Sequence, residues 1–297
     1  MTKPFEFRRR RHPALAWAAP LLALAACTPA GLLTSLDRLS SSGEAKRAAQ
    51  GIAYGADPRQ KLDVWAPRSA NKAPLPVVIF FYGGGWVDGA RGDYGFAGAA
   101  FASQGFVAVL PDYRLVPQAR FPTFVEDGAL AVKWARDHAA QYGGDPNRIT
   151  LAGHSAGGYI AAMLALDPHF LRDAGVDPKT IRAAALLAAP LDFYPFTEAR
   201  GRDVLGQWPR PAETQPISFA RCDAPPVFLA AGTADTIVMP RNSKALAARL
   251  RALGAPVELK LYPGKGHVDL AKALSRSFRG TAPVLADSTD FLHRHTR

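Results

Sequence analysis

The sequence predicts an α/β fold built on a mostly parallel central sheet with helices on both faces. Two continuous apolar runs, residues 77–81 and 106–110, are rich in β-branched and aromatic side chains, as strands buried on both faces require. Similar runs alternate along the chain with segments that have helical spacing. The 297 residues are also enough to bury about three quarters of the unfolded surface without disulfides or metals.

The order of the predicted elements supports this class. Residues 52–54 and 62–65 are short alternating segments joined by a turn-rich connection, which predicts an antiparallel pair at the start of the domain. Residues 124–141 have helical spacing and end at Gly143. The remaining predicted elements are strands at 149–152, 183–187, 227–231 and 257–261, and helices from 156 to about 166, at 242–253, near 270–278 and at 284–294.

One stretch interrupts the alternation of strands and helices. Residues 190–226 are irregular and punctuated by prolines, and they are too few to form an independent domain. We call them the cap segment, because they are the natural candidate for a cover over a site at the edge of the sheet.

The first 26 residues have the pattern of a secretory signal. Four arginines, residues 8–11, precede an apolar run, residues 13–26, that is too short for a comfortable membrane span. The run ends in Leu24-Ala25-Ala26-Cys27, which resembles the bacterial lipobox. The resemblance implies cleavage before Cys27 and acylation of that cysteine, and Thr28 then favours the outer membrane, facing the periplasm. The alternative is a plain signal peptide with an incidental cysteine.

This interpretation divides the chain into a lipoprotein signal peptide (1–26), a tether or lead-in (27–50) and one folded domain (51–297). If Cys27 carries lipid, Cys222 has no disulfide partner, and we expect a buried or half-buried thiol without a role in catalysis. The sequence has no C-x-x-C motif and no Cys/His cluster, so no metal site is expected.

The positive charge of the chain does not indicate a nucleic-acid partner. The formal net charge is +11, of which Lys3, Arg8 to Arg11 and Glu6 contribute +4, leaving +7 on the remainder. The remaining basic residues are scattered and form no stripe that alternates with aromatic residues. A mildly basic surface facing an anionic envelope is the simpler explanation.

Residues 153–157 read Gly-His-Ser-Ala-Gly and lie between an apolar run and an alanine-rich stretch. A G-x-S-x-G pattern in this strand–turn–helix setting is typical of a nucleophile elbow, which predicts that Ser155 is a nucleophile. The following helix directs its first amides towards negative charge that forms beside the serine. The alternative is a turn of glycine and serine without chemical consequence.

A serine nucleophile needs a general base and a group that orients the base. After an elbow of this kind, the acid and then the base follow the serine along the chain. Asp235 follows the predicted strand 227–231, and His267 follows the strand 257–261. Both are therefore expected at the edge of the sheet where Ser155 lies. His154 fits less well as the base, because its side chain is expected to point away from Ser155.

A glycine run, Gly83-Gly84-Gly85, comes directly after the predicted strand 77–81. Consecutive glycines let backbone N–H groups approach a substrate oxygen without obstruction by side chains. With the amide of Ala156, those of Gly84 and Gly85 would form an oxyanion hole, in which each donor contributes roughly 3–4 kcal/mol of transition-state stabilisation. A plain flexible turn is the alternative.

Together these motifs resemble the α/β-hydrolase esterases, especially the hormone-sensitive-lipase-like and BD-FAE-like carboxylesterases. The resemblance covers about residue 52 to the C-terminus. The residues that carry it are Tyr82-Gly83-Gly84-Gly85-Trp86, Asp112-Tyr113-Arg114, Gly153-His154-Ser155-Ala156-Gly157-Gly158, Asp235 and Gly266-His267. One position departs from the pattern: the family usually has histidine where this chain has Tyr82, whose hydroxyl is expected to hold the glycine loop by hydrogen bonding instead.

The resemblance implies an α/β-hydrolase fold and a serine carboxylesterase without a cofactor, with Ser155, His267 and Asp235 as catalytic residues. The implied substrates are small-molecule esters with short or medium acyl chains, because no large lid domain is evident. An arylformamidase or other small amidase with the same triad is the first alternative. A non-catalytic binding protein that retains the hydrolase fold is a remote one, and the oligomeric state stays open.

Two further expectations concern the surroundings of the site. Arg114 is expected to pair with Asp127, because a buried arginine needs a carboxylate partner. Trp86 and aromatic residues of the cap segment are candidates to line an acyl pocket, although each also fits ordinary packing. These aromatic residues are Phe193, Tyr194, Phe196, Trp208 and Phe219.

Overall fold

The computed structural model describes residues 29–39, 43–69 and 73–297. In this part of the chain, eight strands form a single sheet. The strands are β1 Ala45–Ala53, β2 Lys61–Pro67, β3 Leu75–Phe81, β4 Val107–Pro111, β5 Gly144–His154, β6 Ile181–Leu187, β7 Val227–Gly232 and β8 Val257–Tyr262.

Helices connect the strands and pack against the sheet. The α-helices are α1 Pro29–Leu39, α2 Gly95–Ser103, α3 Thr123–His138, α4 Ala156–Leu166, α5 His169–Asp173, α6 Ala199–Leu205, α7 Arg241–Ala252, α8 His267–Lys272 and α9 Val284–Arg294. Short 3₁₀ helices lie at Ala139–Tyr142, Pro178–Thr180, Pro211–Thr214, Pro216–Phe219 and Arg279–Thr281. In one group of helices α3 contacts α4 and α5, and in another α2 contacts α1 and α9.

The strand order across the sheet is β1-β2-β4-β3-β5-β6-β7-β8. The β1–β2 and β2–β4 pairs are antiparallel, and all pairs from β4 to β8 are parallel. The predicted α/β class with a mostly parallel sheet is therefore confirmed. The predicted N-terminal pair is confirmed as well, with Ile52 opposite Leu62.

The register of the central strands sets the position of the loops. Phe81 at the end of β3 is paired with Gly153 of β5, and Gly153 is paired with Leu186 of β6. Parallel strands in this register release their loops at the same edge of the sheet. The glycine run after β3 and Ser155 after β5 are therefore neighbours.

The centre of the sheet is fully buried, as its composition predicts. The side chains of residues 77–81 are completely inaccessible, and so are those of residues 107–110. Such strands need apolar side chains on both faces, because helices cover each face.

Three elements were not expected from the sequence as the structure has them. Helix α1 and the start of β1 at Ala45 lie within the segment that was predicted to be a tether or lead-in, residues 27–50. The helix predicted near 270–278 is instead α8, which begins at His267 and ends at Lys272. Helix α2 was not predicted: its run of glycine and alanine lacks the polar face that gives helical periodicity, because seven of its nine residues are buried.

Candidate active site

Ser155 occupies a sharp turn between β5 and α4. Its backbone angles are φ 54° and ψ −123°, a conformation that costs free energy in a residue with a side chain. A Cβ atom at Gly157 would lie 2.1 Å from the carbonyl oxygen of Phe81. The elbow can therefore sit close to β3 only because residue 157 is glycine.

Two later residues complete a chain of hydrogen bonds with this serine. The Nε2 atom of His267 lies 2.8 Å from Ser155 Oγ, and Nδ1 of the same ring lies 2.9 Å from Asp235 Oδ2. His267 is the first residue of α8, and Asp235 follows β7. The structure thus brings together the three side chains that the sequence predicted.

Both carboxylate oxygens of Asp235 accept hydrogen bonds. Its Oδ1 accepts hydrogen bonds of 2.9 Å from the N–H groups of Ile237 and Val238. Burial alone would raise the pKa of this carboxyl, but the bonds from His267 and from the two amides outweigh it and lower the pKa below 3.8. The ionised carboxylate can only accept, so Nδ1 of His267 carries the proton. Nε2 is then free to accept the proton of Ser155.

His154 packs against His267 from within the elbow. Its ring centroid lies 4.9 Å from that of His267, and its Nε2–H donates to the carbonyl oxygen of His267 over 3.0 Å. Burial, followed by the charge of a protonated His267, lowers the pKa of His154 from 6.5 to about 4. A neutral His154 therefore fixes the backbone of His267 and adds no second positive charge. The sequence indicated that His154 fits less well as the base, but gave no sign of this contact.

The glycine run lies beside the elbow, since a Cβ atom added at Gly83 would lie 3.2 Å from Cβ of Ser155. Gly84, Gly85 and Trp86 all have positive φ angles, of 135°, 59° and 62°, which turn the chain sharply after β3. The carbonyl of Gly84 accepts from Val87 and Asp88 and closes the turn. In the described residues, the N–H groups of Gly84, Gly85 and Ala156 donate no hydrogen bond, whereas the N–H of Ser155 donates to Leu187.

Tyr82 braces this turn through a neighbouring arginine. Its buried hydroxyl accepts from Arg59 Nη2 over 2.9 Å, and the same nitrogen donates to the carbonyl of Gly89 over 2.8 Å. The Tyr82 ring stacks on Tyr113, whose hydroxyl donates to the Tyr82 carbonyl over 2.8 Å. The Tyr82 hydroxyl was expected to hold the glycine loop by hydrogen bonding. Its bond with Arg59 was not expected, because Arg59 lies 23 residues earlier and carries no motif.

The expected pair of Arg114 and Asp127 is confirmed. The completely buried Asp127 carboxylate accepts from the backbone N–H of Arg114 over 2.8 Å and from its guanidinium Nε and Nη2 atoms. Gln60 donates to the same carboxylate over 2.8 Å. This network ties the start of α3 to the loop after β4.

The predicted aromatic residues fall into two groups. Trp86 contacts Tyr159 edge-on at 5.2 Å between ring centroids, and Tyr159 contacts Phe193, which contacts Phe196. Tyr194 is mostly exposed. Trp208 and Phe219 instead line a cavity of about 310 Å³ together with Phe121 and Phe170. Only the first group joins the cap segment to the turn that contains Gly85.

The prediction for Cys222 is wrong: its thiol is exposed. The residue lies in the loop before β7, between Arg221 and Asp223, which form an ion pair. Cys27 lies outside the described residues. Within the described residues, no helix is long and apolar enough to cross a membrane, and no group of three or more potential ligands is placed to hold a metal ion.

Comparison with known proteins agrees with this geometry. The sequence matches the BD-FAE family over residues 62–250. It is 32% identical to esterase LipC of Mycobacterium tuberculosis over 235 residues, which cover 73% of this chain and 58% of LipC. It is 30% identical to carboxylesterase NlhH of the same organism over 243 residues, covering 74% of this chain and 75% of NlhH. The chain thus spans less than two thirds of the length of LipC.

Among solved structures, the chain is similar to Thermogutta terrifontis esterase Est2 with bound butyrate. The TM-score is 0.70 at 26% sequence identity, and the match covers 83% of this chain and 94% of Est2. The eight-stranded sheet, the serine elbow and the order of the serine, acid and histidine along the chain are those of an α/β-hydrolase fold. The chain belongs to the BD-FAE family of α/β-hydrolases.

Proposed function

We propose that this protein is a serine carboxylesterase that hydrolyses small-molecule esters with short or medium acyl chains. The observation that carries the proposal is the hydrogen-bonded series Ser155–His267–Asp235 beside three backbone amides that have no acceptor among the described residues. The names of LipC and NlhH, and the butyrate bound to Est2, support an ester substrate and a short acyl group.

The proposed mechanism follows from the proton positions. His267 Nε2 takes the proton from Ser155 as Oγ attacks the ester carbonyl, and Asp235 stabilises the resulting imidazolium. The amides of Gly84, Gly85 and Ala156 stabilise the oxyanion. His267 then protonates the leaving alcohol, and water, activated by the same histidine, releases the acid from the acyl-enzyme.

A substrate panel tests this activity. The purified protein is assayed with p-nitrophenyl esters of increasing acyl length and with N-formylkynurenine, beside the Ser155→Ala variant. We expect hydrolysis of the shorter esters, loss of activity in the variant and labelling of Ser155 by a fluorophosphonate. Preferential cleavage of N-formylkynurenine would indicate an arylformamidase. If the protein hydrolysed none of these substrates and Ser155 stayed unlabelled, the proposed enzymatic activity would be refuted.

We also propose that Cys27 carries a lipid that anchors the protein to the bacterial outer membrane, facing the periplasm. The arginines followed by a short apolar run and Leu24-Ala25-Ala26-Cys27 support this proposal. Helix α1 begins only two residues after Cys27, so the folded domain would lie close to the membrane surface. Mass spectrometry of the mature protein should find diacylglycerol on Cys27. An unmodified N-terminus would refute the proposed lipid anchor. The Cys27→Ser variant should be released as soluble protein or should fail to have its signal peptide cleaved.

A further inference from the structure

Arg200 lies beside Gly85, one of the three residues of the proposed oxyanion hole. It belongs to α6 in the cap segment. A Cβ atom added at Gly85 would lie 2.4 Å from Arg200 Nη1 and 2.8 Å from its Cδ. The guanidinium group is therefore in contact with the glycine whose N–H is one of the three unused donors. No motif pointed to this residue, because the cap segment has no recognisable pattern.

Arg200 is an exposed cation without an ion-pair partner in the described part of the chain. The neighbouring arginines do have hydrogen-bond or ion-pair partners in the same part of the chain. Arg202 donates to the carbonyls of Phe196 and Thr197, Arg210 pairs with Glu213, and Arg120 pairs with Asp203. Arg200 is thus a positive group beside Gly85 that the described part of the protein leaves without an ion-pair partner.

The position of α6 is fixed by contacts with the body of the protein. The carbonyl of Val204 accepts from the N–H of Phe121 over 3.1 Å, and the side chains of Val204 and Leu205 are buried. The ion pair of Asp203 with Arg120 adds a second connection. The backbone of Arg200 is therefore held near Gly85, although its side chain is exposed.

We infer that Arg200 forms a subsite for an anionic group of the substrate, so that the preferred esters carry a free carboxylate near the scissile bond. The inference rests on the proposed function and narrows its substrate class. A guanidinium presents a planar pair of donors that matches a carboxylate, and such charge-assisted bonds are stronger than neutral ones. A neutral ester would leave this cation unused.

Matched neutral and anionic esters test the subsite. One pair is p-nitrophenyl butyrate and p-nitrophenyl hemiglutarate, which places the carboxylate in the acyl part. The other pair is methyl 4-acetoxybenzoate and 4-acetoxybenzoate, which places it in the leaving group. The variant is Arg200→Gln. Arg182→Gln is the charge-matched control, because Arg182 is exposed near the start of β6, at the opposite edge of the sheet.

We expect Arg200→Gln to lower kcat/KM for one of the anionic esters about five- to tenfold, mainly through KM, with neutral esters changed less than twofold. The pair that responds identifies the side of the ester that carries the charge. Arg182→Gln should behave as the wild type, and added salt should weaken the preference for the anionic ester. Equal effects of Arg200→Gln on neutral and anionic esters would overturn the subsite. If the wild type hydrolyses no ester at all, the proposed function fails instead.

Discussion

Replacement of His154 by glutamine should change how stability depends on pH. In the folded protein His154 is buried, and its pKa is lowered from 6.5 to about 4. In the unfolded chain the imidazole titrates near its ordinary pKa of about 6.5. Between these values the unfolded chain binds a proton that the folded protein does not. The free energy of unfolding therefore falls as the pH falls from 6.5 towards 4.

The magnitude follows from the two pKa values. Integration of the proton-binding difference from pH 7.5 to pH 4.5 gives a loss of roughly 2–3 kcal/mol from His154 alone. Glutamine does not titrate, and its amide can still donate to the carbonyl of His267. The His154→Gln variant should therefore lose roughly 2–3 kcal/mol less than the wild type over this range.

Urea denaturation of both proteins at pH 7.5 and pH 4.5 measures the effect. Other groups, including Asp235, titrate in both proteins, so their contributions cancel in the difference. The interval from pH 7.5 to pH 9 serves as the control, because the imidazole of His154 is neutral there in both states. A difference below about 0.5 kcal/mol between the two acid losses would show that His154 is not buried in neutral form.

Three further replacements test the site. Asp235→Asn should lower kcat by roughly 10⁴-fold with little change in KM, measured by ester hydrolysis, because the imidazole loses the acceptor that fixes its tautomer; a loss below tenfold would contradict the role of Asp235. Gly157→Ala should lower the free energy of unfolding by about 3 kcal/mol or more in urea, because its Cβ would lie 2.1 Å from the Phe81 carbonyl, and wild-type stability would disprove the contact. Tyr82→Phe should cost about 1 kcal/mol in the same assay by removing the acceptor of Arg59, and no loss would mean that the bond contributes nothing.

The strands were the most predictable part of the fold. Residues 77–81 lie within β3 and residues 106–110 nearly coincide with β4, because a strand covered on both faces must be continuously apolar and bounded by turn residues. Helix α2 escaped prediction for the opposite reason. It is buried on nearly all sides, so its sequence carries no alternation between polar and apolar faces.

The residues of the site were likewise predictable only in part. Ser155, Asp235 and His267 were predicted because each follows a strand and has a side chain suited to its chemistry. Arg59 and Arg200 were not. Arg59 lies in the turn before β2 and binds Tyr82, and Arg200 lies in the cap segment and contacts Gly85. Contacts between residues so far apart in the chain leave no local pattern.

The sequence by itself determined the class of fold, the elbow at Ser155, the acid and base at later strand ends, and the glycine run. These features depend on local chemistry: which residues tolerate a sharp turn, and which side chains exchange protons. Only the tertiary structure decided that His154 binds the carbonyl of His267, that Arg59 supports Tyr82, and that Arg200 lies over Gly85. These contacts depend on the strand register and on the packing of the cap segment, which involve the whole chain at once.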